Sequence, residues 1–290
     1  MRFGTKRNGI RMSNYHTPVL LQEAIIGLQV TAGKRFIDAT LGGGGHTKKM
    51  LELGAEVLAI DEDRDAIEEN VKLNGPHCRI VQGNFRDIET IADNNNFLNV
   101  DGILFDLGVS SHQLDTTRRG FSYRFDEAPL DMRFGDRDKR RACDIVNKNS
   151  EEELFDIFSR FGEEEKALDI ARLIISSRKK HEITTVGELK DCLSTKDVDI
   201  VARIFQALRI AVNSELESLQ SGLTGAMKLT KVGGRIAVIS FHSLEDRIVK
   251  RFFLNNNLKV IDKKPIIPSS KEWTENSRCR SAKLRIAQKL

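Results

Sequence analysis

The chain is poor in cysteine, and the four it has share no task. Cys78, Cys143, Cys192 and Cys279 are scattered through 290 residues, with no Cys-x-x-Cys spacing and no paired histidines nearby. That argues against a zinc site and against a disulfide framework, and leaves free thiols. No metal is expected. No apolar run approaches the ~20 residues that span a bilayer. The basic N-terminus has no apolar core segment, so it does not read as a signal peptide. The expectation is a cytoplasmic protein without membrane contact. Internal repeats and low-complexity segments are also missing.

What is present fits a soluble enzyme: 40% hydrophobic and 30% charged residues in a length that suits one large domain or two modest ones. The net charge of +4 is unevenly placed. Arg2, Lys6, Arg7 and Arg11 have no acid among residues 1–11, and residues 259–290 carry nine Lys/Arg against three Asp/Glu, so the body between is acidic. Basic ends on an acidic body point to a polyanionic partner, the alternative being solvated tails.

Between residues 17 and 107 strand and helix patterns alternate. Helices are expected at 18–26, 46–53 and 63–73, and strands at 34–39, 56–60, 79–82 and 101–107. Short apolar runs separated by helical patterns predict a parallel sheet covered on both faces. The rhythm breaks at residues 115–144, which are charged, aromatic and irregular. Residues 150–212 then read as helical only: Ser150-x-x-Glu153 is a capping box, and 164–180, 186–193 and 197–212 have helical apolar spacing. Strand character returns at 233–240, 259–261 and 283–287. A helical block is therefore expected between the fourth and fifth strands of one α/β sheet.

The most telling stretch is Phe36-Ile37-Asp38-Ala39-Thr40-Leu41-Gly42-Gly43-Gly44-Gly45-His46. Glycines between a strand and a helix let the main chain approach a ligand and aim N–H groups into a crevice. Ligands of open parallel sheets bind beyond the carboxyl ends of the strands, where Asp38, Asp61, Asp106 and Ser240 are expected. Asp61 ends the second strand, where an acid can accept from both hydroxyls of a ribose; its alternative use is as a helix N-cap. A dinucleotide loop requires a third glycine, which Gly42-x-Gly44-x-x-Thr47 lacks. A P-loop requires Gly-Lys-Ser/Thr, whereas Lys48 follows His46-Thr47. An adenosine with an amino-acid tail, S-adenosylmethionine, suits a loop so little tuned to phosphate.

Asp106-Leu107-Gly108-Val109-Ser110-Ser111-His112-Gln113-Leu114 follows the fourth strand, where substrate meets cofactor in such sheets. Ser240-Phe241-His242-Ser243-Leu244-Glu245-Asp246-Arg247 closes the fifth strand. Its Ser243-x-x-Asp246 is also a plain helix start, and His242 is as suited to structure as to chemistry. Arg118, Arg119 and Arg124 interleave with Phe121, Tyr123 and Phe125. That pattern serves either base stacking with phosphate contact or a hydrophobic cluster under a long loop. Phe205-Gln206-Ala207-Leu208-Arg209-Ile210 reads as helix core with Arg203 and Arg209 on its wet face.

These residues, together with His16-Thr17-Pro18-Val19-Leu20-Leu21, Pro129-Leu130-Asp131-Met132-Arg133 and Arg280-Ser281-Ala282-Lys283-Leu284-Arg285, resemble the RsmH (MraW) methyltransferases from about residue 14 to the C-terminus. The resemblance implies S-adenosylmethionine-dependent N4-methylation of a cytidine in the decoding region of 16S rRNA. The substrate would be the small ribosomal subunit or a late assembly intermediate. It implies a Rossmann-like class I methyltransferase sheet, α/β in class, with an inserted all-helical domain. By that reading residues 14–115 and 213–290 form the methyltransferase domain, and 116–212 the inserted helical domain for RNA. Residues 1–13 form a basic, disordered extension, unless translation starts at Met12. The implied cofactor contacts are Gly44, Gly45, His46, Asp61, Phe85, Asp106 and Gln113, with Gly42 and Gly43 serving the bend. Candidate catalytic residues are Asp106, Ser110, Ser111 and His242, with the base unassigned. A homodimer is compatible with the sequence but not specified by it. The chain departs from the family pattern at His112, at Asp126-Glu127-Ala128-Pro129 and at Asn276-Ser277-Arg278-Cys279-Arg280. Two rival functions are methylation of DNA or a small molecule, and a non-catalytic ribosome-assembly factor that keeps the cofactor as a structural ligand.

Overall fold

A computed structural model describes residues 18–135 and 140–290, with only the backbone of Ser277 and Arg278 described. The expected extension at 1–13, the Met12 start and the His16-Thr17 part of the leading motif lie outside the described residues. In chain order the first half runs α1 (Leu21–Leu28), β1 (Arg35–Asp38), α2 (Gly45–Glu52), β2 (Glu56–Asp61), α3 (Arg64–Glu69), β3 (Cys78–Gln82), α4 (Ile88–Asn94), β4 (Val100–Asp106) and α5 (Ser111–Asp115). The helical block follows as α6 (Ala142–Lys148), α7 (Glu151–Gly162), α8 (Ala167–Arg178), α9 (Val186–Leu193) and α10 (Val198–Asn213). The chain ends with α11 (Glu215–Leu229), β5 (Thr230–Ser240), α12 (Ser243–Asn255), β6 (Leu258–Val260), α13 (Ser270–Glu275) and β7 (Lys283–Lys289).

The seven strands form one sheet in the order β3-β2-β1-β4-β5-β7-β6. β1 to β5 are parallel, and β7 is antiparallel to both neighbours. Strand order reverses between β1 and β4, which opens a crevice at their carboxyl ends. Both sheet faces are covered, which is why the central strands are apolar throughout: Ile37, Leu58, Ile103 and Phe105 are fully buried.

The local signals place most elements, with instructive shifts. Helix α1 starts later than Pro18 because Leu20 takes a left-handed backbone, φ 52, and donates its N–H to Glu272 in α13 at 2.8 Å. The helix expected at 63–73 is α3, ending at Asn70, followed by a 3-10 turn at Val71–Leu73. The Asn70 amide donates to Ala66 O and Gly42 O, both at 2.9 Å, so it joins the helix end to the glycine loop. Helix α7 has the capping box expected at Ser150 and Glu153. Helices α4, α6, α11 and α13 had no sequence expectation, and α6 begins within the stretch expected to be irregular.

Helices α6 to α10 share a core of their own, with Ile145, Phe158, Ile174, Leu189, Ile204 and Leu208 all at 0% exposure. Helix α11 belongs to the sheet instead: Leu219, Leu223 and Ala226 pack with Ile103, Phe105 and Val238.

Candidate functional site

A cleft of about 1050 Å³, including its open mouth, lies over the carboxyl ends of β1, β2 and β4. The walls come from the loop after β1 (Thr40 to Gly43, Gly45 and His46), from Asp61, Glu62 and Asp63 after β2, and from Gly83, Asn84 and Phe85 after β3. Asp106 to Ser110 and Gln113 follow β4, and Phe134, Glu215, Leu219, Phe241 and Glu245 close the far side.

The glycine loop is built by hydrogen bonds to acids. Asp38, 1% exposed, accepts from Thr47 Oγ1 at 2.7 Å and from the Thr40 N–H at 3.3 Å. Asp61 accepts from the Gly42 N–H at 2.7 Å and the Asp63 N–H at 2.8 Å. Gly44 sits at φ 75 as the cap of α2, and a Cβ there would lie 2.1 Å from Asn70 Oδ1. Only glycine fits on both counts. The wall residues are Gly42, Gly43 and Gly45, while Gly44 is turned toward Asn70. Gly42 and Gly43, expected from sequence to serve the bend, thus also line the cleft.

Asp61 is free of capping duty. The N-cap of α3 is Asp63, which accepts from the Asp65 N–H at 3.0 Å. Asp63 also receives Arg119 at 2.5 Å and the Gln113 amide at 2.6 Å. The Gln113 Oε1 in turn accepts from the Ser110 N–H at 2.9 Å, while Ser110 Oγ accepts from the Gln113 N–H at 3.2 Å. Gln113 thus lines the cleft with both amide atoms engaged, tying the loop after β4 to the loop after β2. Phe85 stands edge-on to Phe105, with ring centres 5.6 Å apart, and leaves one side toward the cleft.

At the strand-order reversal, Asp106 is held by its own N–H, which donates to Thr40 Oγ1 at 2.6 Å. Its Oδ2 lies 3.6 Å from His46 Nδ1, and its Oδ1 is buried with no hydrogen-bond partner among the described residues. A buried carboxylate oxygen left without a donor is costly unless a ligand supplies one. Burial, reinforced by the nearby charges of Asp38 and Glu245, holds the Asp106 carboxyl well above the usual carboxylate range. Burial likewise raises Asp38 to about 7 and Asp61 to about 6.

The other three candidate catalytic residues are placed differently. Ser110 is in the wall but its hydroxyl caps α5. Ser111 and His242 are not wall residues; His242 caps α12, its Nδ1 accepting from the Glu245 N–H at 3.5 Å. The helix cap is therefore His242-x-x-Glu245, one residue before the expected Ser243-x-x-Asp246.

Sequence reasoning missed Glu215 and Phe134 in the wall. Nothing local marks them: Phe134 is held by Asn213, remote in sequence, and Glu215 pairs across the turn between two helices. Glu215 is held by both guanidinium arms of Arg209, at 2.8 and 3.0 Å, so Arg209 is not on a wet face. The Phe134 N–H donates to Asn213 at 2.9 Å, and its ring stacks on Phe121 at 5.3 Å. Glu215, His242 and Glu245 bring ligand atoms within 4.8 Å of one another, a spacing that would suit a cation. Arg209 already neutralises Glu215, however, and Glu245 accepts from the Phe241 and His242 N–H groups at 2.8 and 3.3 Å.

The donors and acceptors fit an adenosine bearing an amino-acid tail. Asp61 retains lone pairs for ribose hydroxyls. The loop after β1 offers backbone to a carboxylate and amine, and Phe85 offers an apolar surface to a base.

The sequence matches the model of the MraW methylase family over residues 13–290. It is 45% identical to a ribosomal RNA small subunit methyltransferase H of Deinococcus deserti, covering 95% of this chain and 93% of the relative. The same comparison gives 46% for the protein of that name from a Cyanothece species, with 95% of each chain covered. For the one from Carboxydothermus hydrogenoformans it gives 43%, over 95% of this chain and 98% of the relative. Among the described residues no helix is long and apolar enough to cross a membrane.

Proposed function

Because the chain belongs to the MraW methylase family, we propose that it transfers the methyl group of S-adenosylmethionine to the exocyclic N4 of a cytidine in the decoding region of 16S rRNA. It would act in the cytoplasm, on the small subunit or a late assembly intermediate. The relatives named above, each a small-subunit rRNA methyltransferase, support this substrate. The observation that carries the chemistry is the buried, partnerless Oδ1 of Asp106 in the cleft wall.

In this reading Asp61 accepts from the ribose, Phe85 covers the adenine, and Gly45 and His46 face the methionine tail. Gly44 gives the loop its bend, and Gln113 holds Asp63 and the loop after β4 in place. The bound cofactor supplies an electrophilic methyl group. The cytosine amine is a poor nucleophile because its lone pair is delocalised into the ring, so it must be aligned with that methyl. A proton must leave as the N–C bond forms. In this reading Asp106 Oδ1 accepts a hydrogen bond from N4–H, and its raised pKa makes the ionised carboxylate a stronger base than an exposed one. Of the four candidates we assign this role to Asp106. Ser110 and His242 act as helix caps that hold the loop after β4 and the start of α12. The target base must leave its stack to enter, at a cost of a few kcal/mol, and residues 116–212 are the domain proposed to hold the RNA around it.

Transfer of labelled methyl to 30S particles, naked 16S rRNA and DNA, followed by nuclease digestion and mass spectrometry, tests the reading. N4-methylcytidine in the rRNA is the expected product. Label in DNA alone would move the substrate, and tight cofactor binding with no transfer to any acceptor would favour the assembly-factor alternative. Asp106→Ala is expected to cut the transfer rate at least ~100-fold, the scale of positioned acid–base catalysis. Full activity in that variant would reject the assignment.

A further inference from the structure

Of the arginines interleaved with aromatics, Arg119 is turned inward, while Arg118 and Arg124 are exposed. Arg119 is engaged with Asp63 and Phe134 O, Arg124 with Asp115 at 2.8 Å, and Arg133 with Asp131 at 2.7 Å. Phe121 and Tyr123 pack on Phe134 and Phe205. The aromatics of that loop pack as a hydrophobic cluster. Arg118 is exposed with no carboxylate partner among the described residues, and a second set of such cations lies on α12.

Helix α12 starts at the cleft, where Phe241 and Glu245 are wall residues. Arg247, Lys250, Arg251 and Leu254 recur at three- and four-residue spacing and are exposed, while Leu244, Val249 and Phe253 are buried. The acids beside this face are already neutralised. Asp246 takes Arg285 at 2.6 and 3.1 Å and Lys283 at 3.8 Å. Glu163, from the end of α7, takes Ser243 and Arg247. Lys250 and Arg251 have no carboxylate partner among the described residues. Lys283 pairs opposite Ser240, at the cleft end of the sheet.

We propose that the exposed face of α12, centred on the unpaired Lys250 and Arg251, grips phosphates of the RNA strand whose nucleotide enters the cleft. This rests on the reading of the cleft as an RNA methylation site. At 1.5 Å rise per residue, Lys250 and Arg251 lie about 12–14 Å along the helix from His242. That distance suits phosphates flanking the target rather than that of the target itself.

The test is fluorescence anisotropy with a labelled single-stranded RNA carrying a central cytidine, across a salt series. Lys250→Glu/Arg251→Glu is expected to weaken binding at least tenfold and to flatten the plot of log K against log salt by about 1.4, since each single-strand phosphate contact contributes ~0.7. Melting temperature and cofactor affinity by calorimetry should match the parent. Lys34→Glu, at the amino end of the sheet, controls for net charge and should leave the salt slope unchanged. Unchanged affinity in the α12 variant, or an equal loss per charge in Lys34→Glu, would overturn the proposal. A parent protein that binds cofactor yet methylates no RNA would instead overturn the reading of the cleft.

Discussion

Asp61 carries two backbone hydrogen bonds and yet titrates high, because burial outweighs both. In the ligand-free protein it is protonated below about 6. A ribose that donates to it needs the ionised form, so cofactor binding must release that proton at acid pH. Affinity should therefore rise from pH 5 to pH 7, by up to about tenfold per unit below the raised pKa, and then level off. The folded state holds the proton more tightly than the unfolded chain, so the stability from this group is full below the ordinary aspartate value. It is lost as pH rises through about 6. Calorimetry and thermal melting across this range check both signs; Asp61→Asn should flatten the affinity profile and make the stability profile less steep, leaving the share of Asp38 and Asp106. A cofactor affinity that falls with rising pH would contradict the assignment of Asp61.

At the scale of elements, helix α11 positions the Phe85 turn. A Cβ on Gly222 would lie 2.9 Å from Phe85 Cδ2, 3.1 Å from Phe85 O and 3.2 Å from Phe105 Cε1. Alanine is worth roughly 1 kcal/mol over glycine in a helix, while overpacking costs about 1–3 kcal/mol. The neighbours are a backbone carbonyl and two locked rings, so the crowding should win. Gly222→Ala is expected to lower stability by about 1 kcal/mol in denaturant melts and to weaken cofactor binding through the displaced Phe85. This contact was invisible in the sequence, since α11 showed no signal that it packs on residues more than a hundred positions earlier. Helix α7, by contrast, was legible from Ser150 and Glu153 alone, because a capping box closes within four residues.

At the scale of the molecule, the helical block and the sheet meet through polar joints at the cleft. Arg209 of α10 grips Glu215 of α11, Arg119 and Gln113 clasp Asp63, and Glu163 reaches Ser243 and Arg247. The Arg209 and Glu215 side chains are 14% and 9% exposed, so removing one partner strands a buried charge. Arg209→Met is expected to cost about 3–5 kcal/mol, and Arg209→Met/Glu215→Leu to recover most of it. Urea unfolding of both variants checks this. Equal losses in the two would show that the joint works through packing rather than charge.

By itself the sequence determined the run of strands and helices, the glycine loop with its acids, the helical interruption and, through its motifs, the family. These follow from periodicity and turn chemistry that act over a few residues. Only the tertiary structure decided which atoms face the cleft. Arg119 was drawn inward by Asp63, Arg209 was buried by Glu215, and Asp106, a wall residue, alone among the four candidates kept a buried oxygen without a partner among the described residues. A charged side chain goes to the nearest carboxylate in space, and in a sheet that reverses its order between β1 and β4 that partner can lie dozens of residues away, as Asp63 does from Arg119.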